Sequence, residues 1–466
     1  MTTYTHRYLA RIILEAATPL AVGSGERDVI TDQLVTTDVN GLPYIPGTAL
    51  AGVLRNALEP EIGKDVIEKL MGYQGKDNDG QGSRLILSHA QIIGVDGLPI
   101  DGIVEIDWEN SFYKEFQNLP VRQHVRISHK GASEKGGKFD EQVVYKGSRF
   151  CFEMELVSDG TDENIWKNIL NTFRSPLFRM GGGTRKGFGE LTVKDCKSKI
   201  LDLTDRNKLS NYLDKTSSLN DIFWSFESDP KIEIDSDKWI KYELKLKPEN
   251  FFLFSSGLES ADAKMIPVTE KIIDWDKLMN KPHFMKEQVL IPASSVKGAL
   301  AHRVAFHYNK FAKVTSEKIA EEAKKTDKSF VDVAKNYTGE NNPAVRALFG
   351  YSASNDDGQR GNTIFSDLHL KEPANKKLLN HVAIDCFTGG AMDGALFSEE
   401  VVGSKEAFTL TCLVNSCVKS EYLDAFGRTL DDLCSGMLPL GGGTMRGHGC
   451  YKGTFTNNRK ELENEQ

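Results

Sequence analysis

A mixed α+β chain of two tandem domains, each with a ferredoxin-like core, is the fold class this sequence predicts. Three observations carry that expectation. Four segments occur twice in the same order, the signature of a duplicated unit. Each half opens and closes on strand-like alternation. In each half an Ile-Pro step leads into an amphipathic helical run, and strands interleaved with helices suit one sheet covered on one face.

The first half opens on RYLARIILEAATPL, from Arg7, and the second on KYELKLKPENFFLF, from Lys241. Next come LPYIPGTALAGVLRNAL, from Leu42, and VLIPASSVKGALAHRV, from Val289. Leu50, Val53, Leu54 and Leu58 in one, and Val296, Leu300 and Val304 in the other, recur at helical spacing. A polar loop and short strand follow, GYQGKDNDGQGSRLILSHA from Gly72 and GYSASNDDGQRGNTIFSDL from Gly350. The third pair, HVRISHKGASEKGGKFDEQVV from His124 and HVAIDCFTGGAMDGALFSEEVV from His381, alternates around a glycine-containing tip and predicts a long hairpin. The fourth is GGGTRKGFG from Gly181 and GGGTMRGHG from Gly441, each followed by a closing strand.

The halves differ by insertions rather than by order. The second carries an additional helical stretch, VTSEKIAEEAKKTDKSFVDVAKNY from Val314, and the first has extra residues between Val95 and Arg122. These features place a first domain at 1–204, a polar, acidic linker at 205–238 and a second domain at 239–466.

Composition bounds the function. Apolar residues are 39% and charged residues 27%, the balance of a globular protein rather than a disordered one. No stretch approaches the roughly 20 apolar residues of a spanning helix, and the N-terminus lacks a signal-peptide pattern. A cytoplasmic protein with no membrane partner is expected. Seven cysteines without a Cys-x-x-Cys pair suggest reduced thiols, not a disulfide framework or thiolate zinc site. The net charge of −8 argues against indiscriminate attraction to nucleic acid but leaves a local basic groove open.

Glycine lets backbone N–H groups approach an anion, so Gly181, Gly182, Gly183, Thr184, Arg185 and Lys186, with Gly441, Gly442, Gly443, Thr444, Arg446 and His448, are candidate contacts to a polynucleotide backbone. The phosphate-loop spacing of nucleotide hydrolases is absent, and neither run precedes a clear helix. For a single run a tight turn before the closing strand is the commoner explanation; recurrence of the threonine and arginine favours RNA contact. Arg55 and Lys297, on the helices after Ile-Pro, can grip phosphate alongside helix N-terminal donors. His124 and His381 recur at the hairpin starts, where capping or burial competes with RNA contact.

As an ordered, duplicated set these motifs resemble the RAMP superfamily, the RRM-like subunits of CRISPR ribonucleoprotein effectors. More narrowly the chain looks like two fused copies of the backbone subunit of a type III complex, in the manner of type III-D. That resemblance implies crRNA, target RNA and other subunits of a type III effector as partners. It also implies that the hairpins at Gly131–Val144 and Gly389–Val402 are thumbs that wedge between bases. In the family, target cleavage depends on an aspartate upstream of the Ile-Pro-Gly motif and on a divalent metal. Asp32 sits at the matching position, with Mg²⁺ or Mn²⁺ as the implied cofactor. In the second half no carboxylate falls on register: Lys264 to Ile266 or Leu278 stand opposite Asp32, and Asp262, Asp274 and Asp276 are the alternatives for a second site. A non-catalytic crRNA-binding subunit and a precursor-processing endoribonuclease are the competing functions.

Overall fold

The computed structural model describes residues 4–28, 31–75, 79–128, 131–221, 238–352, 358–371 and 375–458. In chain order the first half contains β1 (His6–Ala16), α1 (Gly47–Ile62), β2 (Leu85–Leu87), α2 (Ser111–Phe116), β3 (Val121–Ile127), β4 (Ser133–Gln142), β5 (Arg149–Ser158), α3 (Glu163–Arg174) and β6 (Leu191–Asp202). After α4 (Arg206–Leu213), the second half contains β7 (Trp239–Pro248), β8 (Ile273–Trp275), β9 (Pro282–Phe284), α5 (Ala293–Phe311), α6 (Ser316–Thr326) and α7 (Phe330–Ala334). It continues through β10 (Thr363–Phe365), β11 (Asn375–Ile384), β12 (Ala391–Gly403), β13 (Phe408–Asn415), α8 (Ser420–Cys434) and β14 (Tyr451–Asn457).

Both halves build the same antiparallel sheet. Strand order is β2-β5-β1-β6 in the first and β10-β13-β7-β14 in the second. Ile12 pairs with Phe152 and Cys196, and Leu244 with Leu410 and Phe455. With one helix after the first strand and one after the third, each half follows the β-α-β-β-α-β order of the ferredoxin-like plan.

The apolar spacing in the sequence explains why the helices sit where they do. Leu50, Leu54 and Leu58 on α1, and Leu300 and Val304 on α5, are essentially sealed from solvent, packed with the sheet's inner face. Burying each such leucine contributes about 1.5–3 kcal/mol, so this stripe fixes which helix face meets the sheet.

The second half's inserted stretch takes the helical form expected of it, as α6 and α7, and the first half's extra residues carry α2. The stretch read as a connector begins with α4, whose Tyr212 packs with Leu9, Leu201 and Leu203. Arg11 then holds the carbonyls of Ser218, Leu219 and Asp221 at 2.7 to 3.0 Å. Residues up to 221 therefore lie against the first half, and the remainder of the connector to 237 lies outside the described residues.

The two halves are locked together. Arg122 on β3 forms buried ion pairs with Glu270 and Asp367 of the second half, and Glu270 also meets His369 at 3.0 Å. The β8–β9 hairpin inserts Ile273, Trp275 and Phe284 into the first half's core, and Trp275 donates its indole N–H to the Gly147 carbonyl at 2.7 Å.

Candidate nucleic-acid interface

The glycine runs are first a backbone solution. Positive φ recurs at Gly181, Gly183, Gly187 and Gly189, and again at Gly441, Gly443, Gly447 and Gly449. A Cβ at Gly181 or Gly441 would collide with the carbonyl oxygen of Ala21 or Leu253, in the segment just after the first strand. The amides of Gly182 and Gly442 donate to those same carbonyls, both at 2.7 Å. Lys186 and Phe188 donate back to Gly183, as Arg446 and His448 do to Gly443. The amides of Gly182, Lys186 and Phe188, and of Gly442, Arg446 and His448, are thus consumed inside the loop.

Behind each loop stands a duplicated cluster on the hairpin. In the second half the buried Glu399 on β12 receives Arg446 at 2.6 Å, His448 at 3.1 Å and His381 at 2.7 Å. Burial raises the Glu399 carboxyl, but the Arg446 guanidinium and the two imidazoles outweigh this and hold it below the usual carboxylate range. His381 stacks on Phe397 at 4.9 Å. In the first half His124 lies 2.7 Å from Glu141 and stacks on Phe139 at 4.7 Å, while Lys186 sits 4.8 Å over the Phe139 ring. Both recurrent histidines thus tie together the two strands of their own hairpin, while Lys186 in the first half and Arg446 and His448 in the second join the hairpin to the glycine loop; His124 and His448 are buried. The bracing residues missed in the sequence reading were nevertheless written there, as Phe-x-Glu-x-Val-Val at Phe139–Val144 and Phe397–Val402.

At the junction of the halves five cations converge: Arg179, Arg185, Lys186, Lys297 and Arg360. Arg360 of the second half donates to Thr184 Oγ1 at 2.9 Å. Arg185 has Nε and Nη1 buried without a hydrogen-bond partner, and its guanidinium lies 5.5 Å from the Trp239 ring. Desolvation, then the neighbouring Arg360 and Arg179, lower its pKa. Lys297 on α5, donating to the Phe349 carbonyl at 3.1 Å, is pushed down to about 8 by desolvation and by Lys186 and Arg185. A guanidinium with buried, unpartnered N–H groups among other cations is a site that an anion would stabilise. Arg55 lies half-buried on α1.

Asp32 is exposed in the loop between β1 and α1, and its Oδ2 accepts the Asp140 amide of β4 at 3.0 Å. Gln33 bridges Glu141 in parallel, and Met265 bridges Glu399 in the same way. By that register Lys264 occupies the second-half position of Asp32. Asp262 lies two residues upstream, exposed in the same loop. Asp274 and Asp276 belong to the β8 hairpin region docked on the first half. Asp276 caps a turn by accepting the amides of Leu278 and Met279, which lower its pKa. Among the described residues no group of three or more His, Cys, Asp or Glu is gathered as a metal cage.

Both halves match one family description, the RAMP superfamily, over residues 13–192 and 286–452. This chain belongs to the RAMP superfamily. Its glycine loops and braced hairpins lie within the two matched regions. A curated protein, the CRISPR system Cms endoribonuclease Csm3 of Methanothermobacter thermautotrophicus, is 27% identical over 198 residues, 38% of this chain and 76% of that protein. Among the described residues of this RAMP chain, no helix is long and apolar enough to cross a membrane.

Proposed function

We propose that this chain is a backbone subunit of a type III CRISPR effector, holding crRNA along both glycine loops and cutting guide-paired target RNA from its first half. The observation that carries the reading is the asymmetry of a duplicated site: both halves keep the loop and its braced hairpin, while Asp32 faces solvent where the second half has Lys264. Similarity to a curated CRISPR endoribonuclease supports the same reading.

In this reading Arg185, Lys186, Lys297 and Arg360 hold phosphates of the guide, a contact that positions a strand without reading its sequence. Base pairing between guide and target supplies the specificity. The hairpins β3–β4 and β11–β12 are the thumbs; the second ends in Phe387, 97% exposed at its tip.

Asp32 fits a hard divalent cation. One oxygen is fixed by the Asp140 amide and the side chain is open to solvent, so RNA oxygens and waters can complete the shell that Mg²⁺ prefers. When bound, Mg²⁺ or Mn²⁺ would shield phosphate charge during attack of the 2′-hydroxyl. Asp32 would hold that ion, its own carboxylate being fixed to the first thumb by the Asp140 amide.

The test is single-turnover cleavage of a guide-matched target by the assembled particle. Chelation by EDTA and the Asp32→Asn substitution should each stop cleavage while target stays bound. Cleavage that continues in EDTA would instead favour the metal-independent processing chemistry.

A further inference from the structure

Around Asp32 the first half differs from the second at two positions, not one. Asp140 on β4 is the residue whose amide holds the Asp32 carboxylate at 3.0 Å. Glu141 and Glu399 are equivalent, since each makes the parallel bridge to the loop after its domain's first strand, through Gln33 and Met265. Asp140 therefore corresponds to Ser398. The acidic pair Asp32 and Asp140 of the first half is exchanged for Lys264 and Ser398 in the second.

The cross-strand partners sharpen the contrast. Asp140 pairs with Gln123 of β3, and Ser398 with Asn380 of β11. Ser398 donates its hydroxyl to Asn380 Oδ1 at 2.7 Å, so that pair is satisfied within its hairpin. Asp140 Oδ1 is shut off from solvent and accepts no hydrogen bond. A buried carboxylate oxygen without a donor costs free energy, and a cation beside it offsets that cost.

Alternation along β4 sends Phe139 and Glu141, which meet His124, to one face of the hairpin and Asp140 to the other. An aspartate's carboxylate oxygens lie within about 4 Å of its own amide nitrogen by covalent geometry, so the Asp32 and Asp140 carboxyl groups are no more than about 7 Å apart. Two ionised carboxylates that close repel, and a divalent cation shared by them reverses the sign. Mg²⁺ is commonly held by one or two carboxylates, with phosphate oxygens and waters filling its other positions.

We propose that Asp140 is the second carboxylate ligand of the divalent ion that Asp32 holds, so that the cutting position is a two-aspartate seat shared by the loop after β1 and the first thumb. The thumb contributes twice: its amide fixes Asp32 and its carboxylate completes the seat. This inference rests on the reading that the first half cuts target RNA, and it adds to that reading a residue on the thumb, far in sequence from the Ile-Pro-Gly motif.

The experiment uses the assembled particle, a guide-matched target with 2′-deoxyribose at the mapped cut, and Fe²⁺ with ascorbate and peroxide as the probe, because hydroxyl radicals cleave the polypeptide where the ion sits. Scission near residues 32 and 140, suppressed by Mg²⁺, is expected in the wild type. It should be lost in Asp140→Asn, which keeps both the backbone amide and the side-chain shape. With an all-ribose target, Asp140→Asn and Asp140→Ser should each raise the Mg²⁺ concentration for half-maximal cleavage by roughly tenfold or more, while guide content, target binding and the thermal transition stay unchanged. Excess Mn²⁺ should restore the rate in Asp140→Asn but not in Asp32→Asn. An unchanged Mg²⁺ requirement, whatever the rate, or scission that persists in Asp140→Asn, with Asp32→Asn inactive, would overturn the role of Asp140 and leave the effector reading standing. Cleavage that survives Asp32→Asn would overturn the cutting reading itself, and this proposal with it.

Discussion

Lys264 stands in the second half where Asp32 stands in the first. The adjoining residues, Met265 and Gln33, make the same parallel bridge to equivalent hairpin glutamates. A solvated lysine cannot anchor a divalent cation, so in the proposed reading the duplicated frame carries one cutting position. Lys264→Ala, Asp262→Ala and Asp274→Asn should leave target cleavage unchanged. Asp32→Asn should lower it by roughly 10²-fold or more, the scale of losing a positioned catalytic group.

The junction cations should govern RNA affinity. Arg185→Ala should weaken guide binding for all sequences alike and reduce the slope of log affinity against log salt by about one. Binding should also weaken as pH rises from 7 to 9, because the proposed phosphate contact uses the Lys297 ammonium, which desolvation and the neighbouring Lys186 and Arg185 push down to about 8. Lys186, Arg185 and Glu340 are the charges acting on it. Lys297→Met should flatten this dependence, as filter binding across that range would reveal. For folding the sign is opposite: the depressed amine disfavours the native state below its folded pKa, a cost relieved as pH rises from 8 toward 10.5.

Arg122 holds the halves together. Arg122→Ala leaves Glu270 and Asp367 buried without their cation and should cost about 3–5 kcal/mol in denaturant unfolding. Burial raises the Glu270 carboxyl, but Arg122 overrides it and leaves it at about 2 against an ordinary 4.5. A depressed carboxylate stabilises above its unfolded pKa, so that contribution should fade as pH drops from about 4.5 toward 2. Acid titration followed by circular dichroism checks this.

Two neighbouring glycines should behave differently. Gly181→Ala places a Cβ at positive φ against the Ala21 carbonyl and should destabilise by about 1–3 kcal/mol. At Gly182 the nearest atom to a Cβ is 3.6 Å away, ordinary contact, so Gly182→Ala should be tolerated. Thermal unfolding of the pair separates a conformational requirement from a uniform demand for small residues.

The fold was legible because the helix stripes at Leu50–Leu58 and Val296–Val304 and the strand alternation repeat at both ends of the chain. Asp32 was singled out only through the family resemblance, by its place upstream of Ile-Pro-Gly. The bracing of His381 and His448 on Glu399 was not, because those residues lie far apart in sequence and meet only when the hairpin folds over the loop. Arg360 escaped notice for a related reason: it meets Thr184 across the junction of the halves, which the order of motifs within each half does not reveal. Lys264 was one of several positions that gapped alignment allowed; the bridge of Met265 to Glu399 selects it.

The most direct test of the account maps the cut positions on a bound, guide-matched target for wild type and Asp32→Ala in otherwise identical particles. One cut attributable to this chain, absent in Asp32→Ala while target binding is unchanged, is the predicted result. Two cuts from this chain, or one that survives Asp32→Ala, would contradict it.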